Sequence, residues 1–355
     1  MRVLVAGGGT SEPPADCAQV ADIEVRGERV RFGVVERADT AFDPAADHNR
    51  AYVLIGVRSF SLGGSVPGRP ESGRAPSRWV EFGTDFVAEV LAVGSAVTTL
   101  APGDRVVPVL TWPPVRPDAV SAPENPGRAS RQVQRVHHAG LLRLPPGAGD
   151  AEAACLPTAG ATAYAMVRRA AVAQGDSVLV TAAGSTTSLA AVQAARLAGG
   201  EVYAVSHDGA AAPTLTKLGV TRSFSAAEPG DWAELTALAK SLRGFDAILD
   251  PAWRSHFRLA AKLLGFSGRY VAGHDPAAED AAADWAPAAA SLVAKNASFA
   301  GQRRGGREDL AAAVDDLVSG RLQMPVSTPF RGADVGPFVL GGLDPHTTGG
   351  VTYAF

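Results

Sequence analysis

Residues 177–193 hold the arrangement most capable of chemistry, an apolar strand running through small residues into a helix. There, backbone amides at the helix start can hold a phosphate. Ser177-Val178-Leu179-Val180 reads as a buried strand, Ala182-Ala183-Gly184-Ser185-Thr186-Thr187-Ser188 as the turn, and Leu189-Ala190-Ala191-Val192-Gln193 as the helix opening. Set against the G-x-G-x-x-G pattern of dinucleotide sites, the three glycine positions fall on Ala183, Ser185 and Ser188. Small residues keep close approach feasible where φ is negative, and serine or threonine hydroxyls can bind phosphate, but a positive φ would be costly. The expected phosphate set is therefore Ala183, Gly184, Ser185, Thr186 and Thr187.

Other reaction centres are poorly supplied. Cys17 and Cys155 have no paired spacing, and His137-His138 is the only close histidine pair. On an extended strand those two rings point to opposite faces and could not chelate one ion. Gly-x-Ser-x-Gly, a P-loop and paired catalytic carboxylates are missing. Val3-Leu4-Val5-Ala6-Gly7-Gly8-Gly9-Thr10 imitates a nucleotide loop, but Ser11-Glu12-Pro13-Pro14 does not continue a βαβ unit, so a first strand and turn are expected.

The elements that must position the turn follow from periodicity. Val202 to Val205, Arg222 to Phe224, Ala247 to Leu249 and Arg269 to Ala272 read as further buried strands, with a helix over Asp231 to Leu242. Alternation of this kind predicts a doubly wound parallel sheet, with ligands at the carboxyl ends of its strands. Pro251, Gly273 and His274 follow the fourth and fifth strands, and His274 is the candidate proton donor because histidine titrates near neutrality. Before about residue 145 the chain changes to short β runs divided by Gly and Pro: Val30 to Val35, Ala51 to Val57, Phe86 to Val93 and Arg105 to Leu110. Pro67 to Arg78 and Trp112 to Arg131 read as long irregular loops, and Glu308 to Val318 as an amphipathic helix ended by Gly320. Phe60, Trp112 and Trp253 are candidates to wall an apolar cleft.

With 355 residues, 46% hydrophobic and 19% charged, and a net charge of −3, two globular domains are expected. The charge gives no reason to expect nucleic acid or an anionic membrane as partner, and favours small-molecule ligands. No run approaches the roughly 20 apolar residues of a membrane span. The apolar run after Met1 is too short for a signal peptide, which with two unpaired cysteines points to the cytoplasm.

Several segments resemble the medium-chain dehydrogenase/reductase superfamily, closest to its quinone and enoyl reductase branch. They are Thr84-Asp85-Phe86-Val87-Ala88-Glu89-Val90, Gly103-Asp104-Arg105-Val106-Val107, Leu144-Pro145-Pro146-Gly147, Thr162-Ala163-Tyr164, Lys295-Asn296 and His346 to Thr352. The resemblance implies an α/β protein: a Rossmann-type domain over 146–320 and a β-rich GroES-like catalytic domain over 1–145 and 321–355. Zinc is not implied, because the metal-binding Gly-His-Glu position reads Gly83-Thr84-Asp85 and cysteine ligands are missing.

By the same resemblance Thr162 contacts the nicotinamide, and Arg303 with Arg304 lines that end of the cleft. NADPH is the implied cofactor, with Ser206 and His207 favouring the phosphorylated form weakly. Three phosphate contacts nevertheless fail to carry over, their positions falling near Ala211, Ala226 and Gly350, and the tip of the second strand carries no acidic residue. The implied function is NADPH-dependent reduction of a conjugated carbonyl, enone or quinone in specialised metabolism. The alternative is a cofactor-independent isomerase or cyclase on the same fold. A homodimer formed through the Rossmann sheet edge is expected from the same likeness.

Overall fold

The structure, a computed structural model, describes residues 1–25, 28–63, 78–110, 128–252, 257–273, 282–326, 329–344 and 346–355. The chain opens with β1 (Arg2–Gly8), β2 (Cys17–Val25) and β3 (Glu28–Glu36), which pair antiparallel and, with β5 (Val80–Glu81), form a four-stranded sheet ordered β2-β3-β1-β5. The glycine-rich start is thus a strand and turn, as its sequence predicts.

A second sheet is built from β4 (Tyr52–Ser61), β6 (Asp85–Val93), β7 (Arg105–Pro108), β8 (Val133–His137) and β9 (Leu141–Arg143), with β16 (Phe330–Arg331) and β17 (Thr352–Ala354) added from the far end of the chain. At the turn into β7, Gly103 takes a φ of +88°, and the Asp104 carboxylate accepts from the Ala101 amide at 2.9 Å. A left-handed residue followed by a capping carboxylate explains that segment as a structural corner. Phe60 is wholly buried among Phe82, Phe338, Tyr353 and Phe355, so it packs the core of this unit and walls no cleft. Trp112, Trp253 and most of the two long loops lie outside the described residues.

The chain crosses through α1 (Asp150–Ala154) and α2 (Leu156–Arg169) into alternating strands and helices. These are β10 (Ser177–Val180), α3 (Thr186–Leu197), β11 (Glu201–Ser206), α4 (Ala212–Lys217), β12 (Arg222–Ser225), α5 (Pro229–Ser241), β13 (Phe245–Asp250), α6 (Phe257–Leu263), β14 (Leu264–Ala272), α7 (Ala282–Ala294), β15 (Ser298–Gly301) and α8 (Arg307–Val318). All six strands pair in parallel in the order β12-β11-β10-β13-β14-β15, and the order reverses at β10. That reversal opens a crevice above the carboxyl ends of β10 and its neighbours. Helix α8 turns Leu310, Val314 and Leu317 into the core, and Gly320, at a φ of +74°, ends it. The last helix, α9 (Val335–Leu343), covers the β-rich unit through Val335, Phe338 and Val339.

Among the described residues no helix is long and apolar enough to cross a membrane.

Candidate active site at the carboxyl edge of the parallel sheet

The turn after β10 has the backbone geometry of an anion cradle, and its one left-handed residue is not at a fingerprint position. Ala182 takes a φ of +49°, whereas Ala183, Ser185 and Ser188 all have negative φ. The three small replacements are therefore conformationally compatible, and the strain of the turn sits on Ala182. Its left-handed backbone costs about 1–2 kcal/mol for an L-residue, against about 0.5–1 kcal/mol of entropy for a glycine. Ala182→Gly is thus expected to raise stability by about 0.5–1 kcal/mol, measurable as an increased urea midpoint.

Ser185 is the N-cap of α3: its hydroxyl accepts from the Ser188 amide at 3.2 Å and lies 2.8 Å from the Ser188 hydroxyl, which donates to the Thr181 carbonyl at 2.9 Å. Both serine hydroxyls are engaged in holding the turn. What faces outward is backbone: Thr186 and Thr187 are the first two residues of α3, and their amides have no partner within the helix. A Cβ built on Gly184 would meet only the Ala211 methyl at 3.8 Å, so the approach to those amides is open on that side.

Neighbouring strand ends complete the edge. Ala183 donates to the Val205 carbonyl at 2.9 Å, which sets the turn beside β11 and its last residue, Ser206. Asp250, buried at the end of β13, accepts from the Thr181 hydroxyl at 2.6 Å and the Tyr270 hydroxyl at 2.5 Å. Gly273 donates to the Asp250 carbonyl at 2.7 Å and packs so tightly on Pro251 that a Cβ would lie 2.3 Å from the Pro251 carbonyl oxygen. Pro251 and Gly273 thus meet as expected of residues at adjoining strand ends. His274 lies outside the described residues.

A second group gathers where the two units meet. Thr162 sits in the middle of α2, 5% exposed, and its hydroxyl is buried without a hydrogen-bond partner. The segment bearing Arg303, which is exposed, is held against the same helix: a Cβ on Gly305 would lie 1.9 Å from the Ala161 carbonyl oxygen. One turn before Thr162, Thr158 donates from its amide at 2.5 Å and its hydroxyl at 2.7 Å to the fully buried Asp85 of β6, which also accepts from Thr84 at 2.6 Å.

Burial pushes the Asp85 carboxyl above the usual carboxylate range, opposed by those donors and by the charge of Arg304. Burial and the neighbouring Asp85 charge push the Cys155 thiol up to about 12, so it is a protonated, unreactive packing group. The Thr352 hydroxyl of β17, opposite Ser61, is likewise buried and unpartnered.

Asp85 and Thr158 were not singled out from sequence. Asp85 there marks only a replaced metal motif, and α2 begins after Cys155, a cap without a side-chain acceptor. A carboxylate from another unit fills that role, and local sequence carries no sign of it.

At the far end of the edge, residues 346–350 cross over the turn. Gly349 donates to the Gly184 carbonyl at 3.0 Å, and the His346 imidazole pairs with Asp208, which follows β11. Hydrogen bonding to Asp208 holds the imidazole pKa of His346 above its ordinary 6.5, and the same bond holds Asp208 below 3.8. The sign follows for each partner: the His346 contribution is present below pH 6.5 and fades as pH rises through its raised pKa. The Asp208 contribution is present above pH 3.8 and fades as pH falls through its lowered one. The pair is therefore strongest between those values. In an NMR titration Asp208→Asn should move the His346 midpoint down, with His207 and Asp344, the other titratable neighbours, unchanged in identity.

The histidine pair departs from expectation. Strand β8 ends at His137, His138 begins a short 3-10 turn, and the two rings stack with centroids 5.0 Å apart instead of facing opposite ways. Each ring is otherwise engaged, His137 with the Ala139 amide and His138 with the Thr99 hydroxyl. Among the described residues no group of three or more His, Cys, Asp or Glu is gathered around a metal-sized space.

A six-stranded parallel sheet in the 3-2-1-4-5-6 order, joined to a β-rich unit that receives the end of the chain, defines the two-domain dehydrogenase/reductase class of fold. Comparison with known proteins agrees. The family model described as "Zinc-binding dehydrogenase" matches residues 187–319. Among curated proteins the chain is 34% identical over 191 residues to a Streptomyces halstedii protein named "Polyketide synthase GfsB". It is 32% identical over 207 residues to the "Phthioceranic/hydroxyphthioceranic acid synthase" of Mycobacterium tuberculosis. These matches cover 54% and 56% of the chain but 3% and 9% of the relatives, so the chain spans less than a tenth of their length.

Among solved structures, a putative alcohol dehydrogenase from Sinorhizobium meliloti 1021 superposes over 99% of this chain and 96% of its own, with TM-score 0.75 and 19% identity. The quinone oxidoreductase from Coxiella burnetii superposes over 99% of both chains, with TM-score 0.68 and 18% identity. A structure titled "CurF ER cyclopropanase from curacin A biosynthetic pathway" covers 91% of this chain and 94% of its own, with TM-score 0.67 and 20% identity. At such identities the structural likeness is one of fold. Residues 187–319 thus match a dehydrogenase family model, and the chain has the fold of the two-domain dehydrogenases and reductases, a Rossmann domain joined to a GroES-like domain, with Ala183, Ser185 and Ser188 at the turn positions where glycines are usual.

Proposed function

We propose that the protein is a zinc-independent reductase that transfers hydride from a nicotinamide dinucleotide to a conjugated carbonyl, enone or quinone held between the two units. The observation that carries this reading is the turn after β10: an α3 N-terminus with its first two amides unengaged, open past Gly184 at the switch point of the sheet. The buried, unpartnered Thr162 hydroxyl is the second polar group that fits such a cofactor, since an orphaned buried hydroxyl is costly until something bonds to it. The dinucleotide, when bound, supplies the hydride. The chain's own residues contribute orientation: Thr186 and Thr187 amides for the diphosphate, Thr162 and the Arg303 segment for the far end. The matches to polyketide synthases support an unsaturated acyl group as the acceptor and a place in specialised metabolism.

NADPH is the form implied by the resembling reductases, with Ser206 and His207 at the end of β11 in keeping with it. A homodimer is proposed through the β15 edge, flanked by Phe266 and Val293, which are 76% and 82% exposed. The free thiols of Cys17 and Cys155 are in keeping with a reducing compartment.

The test is calorimetric titration of the pure protein with NADH and with NADPH, followed by cofactor oxidation in the presence of an enoyl thioester or a quinone. Binding with oxidation supports the reading. No binding of either dinucleotide at millimolar concentration overturns it and favours the non-redox isomerase or cyclase, whose support is that both turn hydroxyls are engaged internally.

A further inference from the structure

The reduction proposed above leaves one proton unassigned. Hydride arriving at the β-carbon of an enoyl group leaves an enolate, whose α-carbon must take a proton before product forms. Where the two units meet, three side chains are linked in a way that can carry it. Asp85 of β6 is 0% exposed, and its carboxyl group sits against the first turn of α2. Its Oδ2 lies 2.7 Å from the Thr158 hydroxyl and 2.6 Å from the Thr84 hydroxyl, and its Oδ1 accepts from the Thr158 amide at 2.5 Å. Thr158 itself is half-buried, so it joins a carboxyl that water does not reach to the accessible surface.

Placement ties this chain of groups to the proposed cleft. Thr158 and Thr162 are four residues apart on α2, which puts them on one face of the helix, a turn from each other. The Thr162 hydroxyl is buried and unpartnered, and the segment bearing Arg303 and Arg304 packs on Ala161 of the same helix through Gly305. A hydroxyl donates one hydrogen bond and accepts two, so Thr158 can take a proton from Asp85 while giving its own to a group beside Thr162. Burial keeps Asp85 on the protonated side of its ordinary 3.8, opposed by the threonine donors and the charge of Arg304. The Cys155 thiol, the other titratable group coupled to this carboxyl, has its pKa pushed up to about 12 and stays out of the exchange.

We infer that Thr158 is the catalytic proton donor of the reduction and that the Asp85 carboxyl behind it is the store that recharges it. The inference rests on the proposed reductase reading. As the enolate collapses, its α-carbon forms a bond to the Thr158 hydroxyl proton, and the Thr158 oxygen takes the proton of the Asp85 carboxyl. The net change is one proton lost from Asp85 and one C–H bond formed. The carboxylate that remains is held by the Thr158 amide and the Thr84 hydroxyl, and solvent returns its proton through Thr158 once product has left.

The test is steady-state kinetics of the whole protein with NADH or NADPH and the crotonyl thioester of N-acetylcysteamine, with dinucleotide affinity measured separately by calorimetry. Thr158→Val removes the hydroxyl while keeping the shape and the backbone amide. It is expected to lower kcat on the order of 100-fold to 10,000-fold, with KM and dinucleotide affinity near wild type, and Thr158→Ser is expected to recover most of the loss. The pH profile separates a relay from a structural role. Wild-type kcat is full below the raised pKa of Asp85 and falls as pH rises through it, and Thr158→Val loses that limb. Wild-type kcat in Thr158→Val, or a limb that persists in it, overturns the inference while leaving the reductase reading intact. Oxidation of the cofactor by a quinone but not by the thioester also overturns it alone. Failure of the wild type to bind either dinucleotide overturns both. If Thr158→Val does not fold, Thr158→Ala carries the same prediction, since the backbone amide at that position still meets Asp85.

Discussion

Replacing Asp85 by alanine lowers the stability of the protein by about 3 kcal/mol, because the change strips the acceptor from three donors at once, one of them buried and two half-buried. The Thr158 amide, the Thr158 hydroxyl and the Thr84 hydroxyl all end on this one carboxylate, which is 0% exposed. Each donor left unsatisfied costs about 1 kcal/mol or more, and the N-terminus of α2 loses its only side-chain acceptor. Against this, the variant no longer buries a carboxyl group, whose burial outweighs its hydrogen bonds in setting the raised pKa and so favours the protonated form.

The pH dependence has a definite sign. Burial raises the folded-state pKa of Asp85 above its ordinary 3.8, so the folded protein holds this proton more tightly than the unfolded chain. The contribution of Asp85 is therefore fully present at low pH and declines as pH rises through the raised value. Urea denaturation should show the gap between wild type and Asp85→Ala widening as pH is lowered through the raised value towards 3.8, with an unchanged denaturant slope. A constant gap would show that the carboxyl is ordinary and that the loss is one of packing alone. Asp85→Asn should fall between the two, as it keeps one acceptor but turns an NH2 group towards donors.

Gly305→Ala is expected to reduce kcat/KM for the proposed reaction on the order of 100-fold, the scale of a 1 Å misplacement at a reacting centre. The added methyl would lie 1.9 Å from the Ala161 carbonyl oxygen and 2.4 Å from its carbon, backbone atoms of a packed helix that cannot rotate aside. The segment carrying Arg303 and Arg304 must then lift from α2, away from Thr162. Gly301→Ala, where a Cβ meets nothing within 4 Å, is the matched control and should leave both rate and affinity near wild type. Equal activity of the two variants would separate this segment from the cleft.

Sequence legibility followed the range of the interactions involved. Five of the six parallel strands, all but β15, were readable as short runs set between helical patterns, and burial on both faces leaves no other home for Val178 to Val180 or Ala247 to Leu249. The Gly103-Asp104 corner and the stop at Gly320 were readable for a similar reason, since a left-handed residue and a local carboxylate are written in adjacent positions. The absence of a Gly-His-Glu motif at Gly83-Thr84-Asp85 is also a matter of residue identity alone.

What the linear order could not decide is which residues far apart would share a face. Adjacent His137 and His138 stack because the strand ends between them, a boundary set by pairing with Tyr52 and by the 3-10 turn that follows. Asp85 caps a helix that starts more than seventy residues later, and His346 meets Asp208 across 138 positions. The phosphate turn shows both sides at once. Its residue types at Ala183, Ser185 and Ser188 are legible in the sequence, but only the folded backbone puts the positive φ on Ala182 and turns both serine hydroxyls inward, leaving bare amides to face the crevice. Side-chain chemistry is local information, whereas the direction in which each group points is determined by packing against the rest of the chain.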